Sequence, residues 1–274
     1  MMDSKERVKK VFNFELPDRL PVYDLLQNGL NLNPDIDYDI VIVNDLNADG
    51  QDVKDKFKML ACVDAFEDLC YTFGLESILW MIGKDAASVG AELKKSTYKM
   101  LRQMPERLEK YKDTNGVWLW SDIAYKKGLY FSKEFYVDKI LPLHKEICAF
   151  FKNEGLPVVM HSDGNLNGIM PYLIEAGFSG LHPVESSSGM DILKLKNIYK
   201  DKIVFLGGLG LDILKRDSDE SAISDLRRKI EILSEESGYI LGFESPIGKD
   251  IDIEKYKSIL KIVRECGKSV TSSY

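Results

Sequence analysis

The sequence predicts a single α/β domain over residues 1–274, a (β/α)8 barrel with extra helices in its amino-terminal half. Three observations carry this expectation. Short β-rich runs recur eight times, helix-length amphipathic stretches separate the later ones, and the chain is close to the roughly 250 residues of barrels that fold as one unit. Strand and helix alternating along a chain means parallel strands joined by crossovers, in an open doubly wound sheet or a closed barrel. Eight runs favour closure.

In order, the runs are Leu20–Asp24 (LPVYD), Ile40–Asn44 (IVIVN), Phe57–Cys62 (FKMLAC, the weakest) and Val117–Asp122 (VWLWSD). Pro157–His161 (PVVMH), Gly180–Val184 (GLHPV), Ile203–Gly207 (IVFLG) and Tyr239–Phe243 (YILGF) complete the set. Helical patterns fill Lys133–Asn153, Leu166–Ala176, Asp191–Tyr199 and Glu220–Ser234, and Glu254–Cys266 closes the chain. The segment Asp64–Lys112 exceeds one crossover and is expected to hold two or three helices, as a cap beside the barrel mouth.

Composition narrows the function classes. A hydrophobic content of 45% supports a large core, and 44 acidic against 37 basic residues leave a net charge of −7. That charge repels nucleic-acid phosphates and anionic membranes. The amino terminus is charged throughout, and no run reaches membrane-spanning length, so a cytoplasmic protein is expected. Cys62, Cys70, Cys148 and Cys266 form no C-x-x-C pair and read as buried thiols, with Cys62 and Cys70 stacked along one helix face.

In a barrel of this kind the reactive groups sit where strands end and βα loops begin. Those ends carry Asp24, Asn44 with Asp45, Asp122, His161 with Asp163, Glu185, Gly207 with Gly208, and Glu244. The sharpest motif is HSDGN, His161–Asn165. On an extended segment, a spacing of two turns both side chains the same way, so imidazole and carboxylate are able to share a cation. The competing structural reading makes Asp163 a helix cap and His161 a hydrogen-bonded wall residue. Catalytic zinc needs three protein ligands, and Glu244 in GFESPIG is the expected third, with Glu185 in HPVESSSG as its competitor. Such an oxygen-rich site makes the ion a strong Lewis acid.

Asp122 is expected to orient substrate or the ligand histidine, unless it is a solvated rim residue. Asp24, Gly207 and Gly208 are the strand-end positions assigned to substrate, the glycines allowing close approach of ligand or backbone. Alternation turns His182 toward the helical layer, and His144 falls in a helix as a structural residue. The segment GGLG is too short and wrongly placed for a dinucleotide fingerprint.

Taken together, PDRLPVYD, SDIAYKKGLYFSKEFYVDKILPLHKEI, VVMHSDGNLNGIMPYLIEAGFSGLHPVE, GMDILKLKNIYKDKIVFLGGLG and YILGFESPIG resemble the uroporphyrinogen decarboxylase superfamily nearly end to end. That resemblance implies either tetrapyrrole decarboxylation or zinc-dependent methyl transfer with corrinoid proteins. Arg19 is the sole arginine where decarboxylases grip propionates, which places decarboxylation second. The methyltransferase branch typically shows H-x-C and a late cysteine. Here Asp163 stands where the first cysteine would be, and Glu244 lies near the second.

An oxygen-rich zinc does not suit thiol activation but suits polarising an ether oxygen. The expected activity is therefore methyl transfer from a small O-methylated, aromatic donor to the Co(I) corrinoid of a partner protein. Zinc would sit on His161, Asp163 and Glu244, with Glu185 or Asp122 orienting substrate. A metal-free decarboxylase and a barrel that only binds a small ligand are the rival readings.

Overall fold

The computed structural model describes residues 2–23, 38–44, 54–210, 213, 220–245 and 253–269. In chain order its elements are α1 (Ser4–Phe12), β1 (Ile40–Val43), β2 (Phe57–Val63), α2 (Ala65–Phe73), α3 (Leu75–Lys110) and β3 (Gly116–Trp120). There follow β4 (Ala124–Tyr125), β5 (Gly128–Leu129), α4 (Lys133–Phe135), a π-helical turn Tyr136–Ile140, α5 (Leu141–Asn153), β6 (Val158–His161) and α6 (Met170–Ala176). The rest are β7 (Gly180–His182), α7 (Ile192–Tyr199), β8 (Val204–Leu206), α8 (Glu220–Ser234), β9 (Tyr239–Ile240) and α9 (Ile253–Ser269). The architecture is α/β with parallel strands. Among the described residues no helix is long and apolar enough to cross a membrane.

The chain divides into two compact units, one of Ile42–Asn44 with Lys58–His182, the other of Met1–Val41, Asp45–Phe57 and Pro183–Tyr274. In the first, β2, β3, β6 and β7 run parallel in chain order, with Val63 opposite Trp120, Trp120 opposite His161 and His161 opposite His182. Because side chains alternate along a strand, this register sets Trp118, Trp120, His161 and His182 on one face. Helices α2, α3 and α5 bury apolar residues that include Leu69, Ile78, Leu93 and Ile147. Helix α3 holds two helices joined at Asp85, whose backbone is non-helical and whose side-chain carboxylate accepts the Ser88 amide and so caps the second helix.

In the second unit β8 pairs parallel with β9, and single parallel bridges join Val22 to Leu241 and Leu209 to Phe243. Beside them lies a buried ionic group. Arg7 donates to Asp18 and Asp39, each at 2.7 Å, and Arg19 donates to the other Asp39 oxygen at 2.7 Å. Asp39 also accepts from Ser4 Oγ and the Val22 amide, both at 2.9 Å. Two cations thus close around two carboxylates, and every named bond is charge-assisted.

Several sequence expectations change. The run Leu20–Asp24 contributes one bridge at Val22, and its Asp24 lies outside the described residues. The run judged weakest, Phe57–Cys62, is the seven-residue strand β2, and the helix expected from Leu166 becomes regular at Met170 after a 3-10 turn over Asn167–Ile169. Cys62 and Cys70 do not share a helix face, because the first lies in β2 and the second in α2. None of the four cysteines forms a disulfide, and Cys70, unlike the other three, is only partly buried.

Candidate metal centre

Strands β3 and β6 end side by side and deliver two loops to one place. Strand β3 continues into Ser121 and Asp122, β6 into Ser162 and Asp163, and the Ser121 amide bonds the His161 carbonyl at 2.9 Å. The Asp122 carboxylate accepts the Asp163 amide at 2.9 Å, which ties the two loops directly. His161 Nε2 stands 3.8 Å from Asp122 Oδ1 and 3.8 Å from Asp163 Oδ1. One donor atom from each of the three lies within 4.8 Å of the other two.

The surroundings make this arrangement stiff. Ser162 Oγ accepts the Ile123 amide at 3.2 Å, and Glu67 on α2 accepts the Asp122 amide at 3.1 Å. The other Glu67 oxygen accepts the Tyr71 hydroxyl at 2.6 Å. Burial raises the Glu67 carboxyl above its ordinary range, a push that the Tyr71 and Asp122 hydrogen bonds only partly offset. The β4–β5 hairpin follows Asp122 and carries Tyr125 and Tyr130 stacked at 5.7 Å. It can pack on the β6 loop only because position 164 is glycine. Gly164 has φ +90°, and a Cβ there would lie 2.7 Å from the Tyr125 nitrogen.

His161 is enclosed by rings, with Trp120 edge-on at 4.4 Å, Trp118 at 5.8 Å and His182 stacked at 5.0 Å. Burial lowers its pKa to about 3, so the imidazole is neutral at neutral pH and one of its ring nitrogens carries a lone pair. Tyr130 is raised, first by burial and then by the Asp122 and Asp163 carboxylates, which places its phenol in the field of this acidic pair.

The donor set fits zinc. One imidazole nitrogen and two carboxylate oxygens are ordinary zinc ligands, and tetrahedral bonds of about 2.0–2.2 Å put neighbouring ligand atoms about 3.3–3.6 Å apart. The two 3.8 Å separations from His161 require a small contraction, and the two carboxylate oxygens, within 4.8 Å of each other, would draw together around the ion. With neutral His161 the three residues bear two negative charges, which a divalent ion balances.

The structure brings His161 and Asp163 together, and it adds Asp122, which the sequence assigned to orienting substrate or the ligand histidine. It also turns His182 around. The ring expected in the helical layer lies against His161, with the two Nδ1 atoms 2.8 Å apart, and against Trp118 at 4.8 Å. The lateral register of β6 and β7 decides this, and the signal available was that both strands end in histidine, VVMH and GLH. The residues that sequence reasoning missed are His182, Glu67, Trp120 and Tyr130. His144 is structural as expected, buried in α5 between Tyr136 and Asp64, each at 3.2 Å.

The remaining predicted residues belong to the other unit. Glu185 accepts from Ser187 Oγ at 3.0 Å and Ser188 Oγ at 2.5 Å. Glu244 is buried, its amide bonds the Leu209 carbonyl at 2.8 Å, and its Oε1 has no hydrogen-bond partner among the described residues. Gly207 and Gly208 have φ +94° and +81°, and a Cβ on Gly207 would sit 2.4 Å from the Pro183 carbonyl oxygen. The close approach at Gly207 is therefore one of backbone to backbone.

The model of the family described as Uroporphyrinogen decarboxylase (URO-D) matches residues 119–266. Among solved structures, a methyltransferase from Methanosarcina mazei superposes with a TM-score of 0.71 at 12% identity, covering 97% of this chain and 99% of that one. At that identity the likeness is one of fold. A 7,8-dihydropteroate synthase from Vibrio fischeri ES114 aligns at a TM-score of 0.28 with 12% identity, over 65% of this chain and 88% of that one, too weak to build on. No curated protein matches the chain.

Proposed function

The chain belongs to the uroporphyrinogen decarboxylase (URO-D) family, and from that premise we propose that it is a zinc-dependent methyltransferase, moving a methyl group from an O-methylated aromatic donor to the Co(I) corrinoid of a partner protein. The proposed setting is a single (β/α)8 barrel in the cytoplasm. The fold shared with the Methanosarcina mazei methyltransferase supports the reaction class. The observation that carries the reading is the convergence of Asp122, His161 and Asp163, three hard donors within 4.8 Å, beside an aromatic wall.

His161 and the two aspartates would hold the ion. Zinc supplies a Lewis acid for the ether oxygen, which lets a phenolate leave when the methyl group departs. The chain does the rest. Trp120 and the stacked Tyr125–Tyr130 pair offer faces for an aromatic donor, and Glu67 holds Asp122 in place through its amide. Exclusion of water from His161, 6% exposed, keeps the imidazole uncharged. Glu185 and Glu244 are proposed contacts to donor or metal.

Decarboxylation of a polyanionic tetrapyrrole is less well served. Arg19, the cation available in the amino-terminal segment, is bonded to Asp39 through both terminal nitrogens at 2.7 and 3.1 Å. It is committed to the fold rather than to a substrate carboxylate.

Zinc content is the first test. The chain should bind one equivalent after chelation and reloading, and should demethylate aromatic methyl ethers only with a reduced corrinoid protein added. Absence of stoichiometric zinc would overturn the reading. Glu244→Gln separates the two roles of that residue, since lost zinc marks a ligand and retained zinc with lost turnover marks a donor contact. Release of carbon dioxide from uroporphyrinogen without metal would favour the decarboxylase instead.

A further inference from the structure

His161 and His182 end neighbouring parallel strands in register, with rings stacked at 24° and their Nδ1 atoms 2.8 Å apart. An N···N contact of that length holds one hydrogen, since two would collide. The pair therefore has two arrangements. In one, His182 donates, and the hydrogen of His161 sits on Nε2, where it blocks coordination. In the other, His161 donates from Nδ1, and Nε2 is a lone pair.

The 2.8 Å bond is made in both arrangements, so the outer nitrogen of His161 distinguishes them. Nε2 faces the Asp122 and Asp163 oxygens at 3.8 Å, and a cation held there needs its lone pair, which puts the His161 hydrogen on Nδ1 with His182 as acceptor. We infer that His182 is a positioning residue for the metal centre: it accepts the Nδ1 hydrogen of His161, fixes the ring, and leaves Nε2 as the donor atom facing the two carboxylates. A histidine here takes the part more often played by a carboxylate or carbonyl behind a metal-bound imidazole, and it orients the ligand without adding charge. Trp118, 4.8 Å from the His182 ring, packs against the pair.

This inference rests on reading Asp122, His161 and Asp163 as a cation site, and two measurements keep the two claims apart. The chain has only three histidines, so a long-range nitrogen–proton spectrum of the metal-free, 15N-labelled protein resolves each imidazole. His161 should carry its hydrogen on Nδ1, and a hydrogen on Nε2 overturns the inference. Zinc titration against a chromophoric chelator is the second measurement. His182→Phe should weaken binding by about 10–100-fold, whereas His182→Asn, whose amide oxygen can replace the Nδ1 acceptor, should stay within a few-fold of the unaltered chain. Equal affinity in His182→Phe overturns the inference. If the unaltered chain binds no zinc, the site reading falls, and the tautomer alone decides the role of His182. The spectrum also decides it should His182→Phe fail to fold.

Discussion

Two polar clusters in this molecule, one buried around Asp39 and one opening to solvent around His161, are built on opposite rules. Around Asp39, two arginines meet two carboxylates, so opposite charges close the group from within. Around His161, a neutral imidazole meets two carboxylates of like sign. The first cluster is complete as folded and serves the structure, whereas the second leaves two like charges beside a neutral donor, an arrangement that the proposed cation would complete. On that proposal, function is marked by where the chain assembles charge of one sign, while the best-bonded ions mark stability.

Breaking the first cluster should have the largest effect. Asp39→Ala leaves the Arg7 and Arg19 guanidinium groups facing each other without their shared carboxylate, and should cost about 3–5 kcal/mol in urea unfolding. A loss below about 1 kcal/mol would show that the group adds little beyond surface ion pairs.

Acid unfolding should separate the clusters by pH. His161, depressed by burial from its ordinary 6.5 to about 3, and His182, lowered in the same direction, both refuse a proton that the unfolded chain accepts near 6.5. The unfolded state binds more protons in that window, so the metal-free protein should lose stability as pH falls from about 6.5 toward 3. Burial alone would raise Asp18, but hydrogen bonds from Arg7 and the Met2 amide outweigh it and hold the carboxyl below its ordinary 3.8. Its contribution is lost only as pH falls below that value. A urea midpoint flat between pH 6.5 and 4.5 would contradict the assignment to the histidine pair.

A smaller loss is expected at the hinge between hairpin and acidic loop. Gly164→Ala forces a Cβ into the Tyr125 backbone at a positive φ, and should cost about 1–3 kcal/mol while weakening zinc binding, both measurable on one preparation. Unchanged zinc affinity would detach the hairpin from the site.

The smallest stability effect should come from the second cluster itself. Asp163→Asn relieves one like charge on a side chain that is 60% exposed, and should shift unfolding by no more than about 0.5 kcal/mol. The same change should lower zinc affinity by more than about 100-fold, exceeding the usual effect of an outer-shell partner. Parallel loss of stability and zinc would make Asp163 structural.

The alternation of strand and helix was legible because burial leaves a period in the sequence, and α8 appears over the residues expected, Glu220–Ser234. His161 and Asp163 were legible for the same local reason, being two residues apart at the end of an apolar strand. The partnership of His161 with His182 and with Asp122 was not, because it depends on which residues face each other across parallel strands that are 21 and 39 positions apart in the chain. Alternation misplaced His182 because β7 ends at that residue and Val184 takes φ +56°, so the period read through GLHPV does not persist. Cys62 and Cys70 were misread because their eight-residue offset matches a helical repeat, although Cys62 ends a run that itself reads as a strand.

Tyr71 carries a consequence for observation. Its ring is 74% exposed, yet its hydroxyl is bound to Glu67, whose second oxygen holds the amide of Asp122. Two hydrogen bonds thus connect an exposed tyrosine to the backbone of a loop that carries the proposed metal-binding group. The molecule carries its own optical indicator on its outer surface, and ultraviolet absorption at Tyr71 should register when that loop tightens.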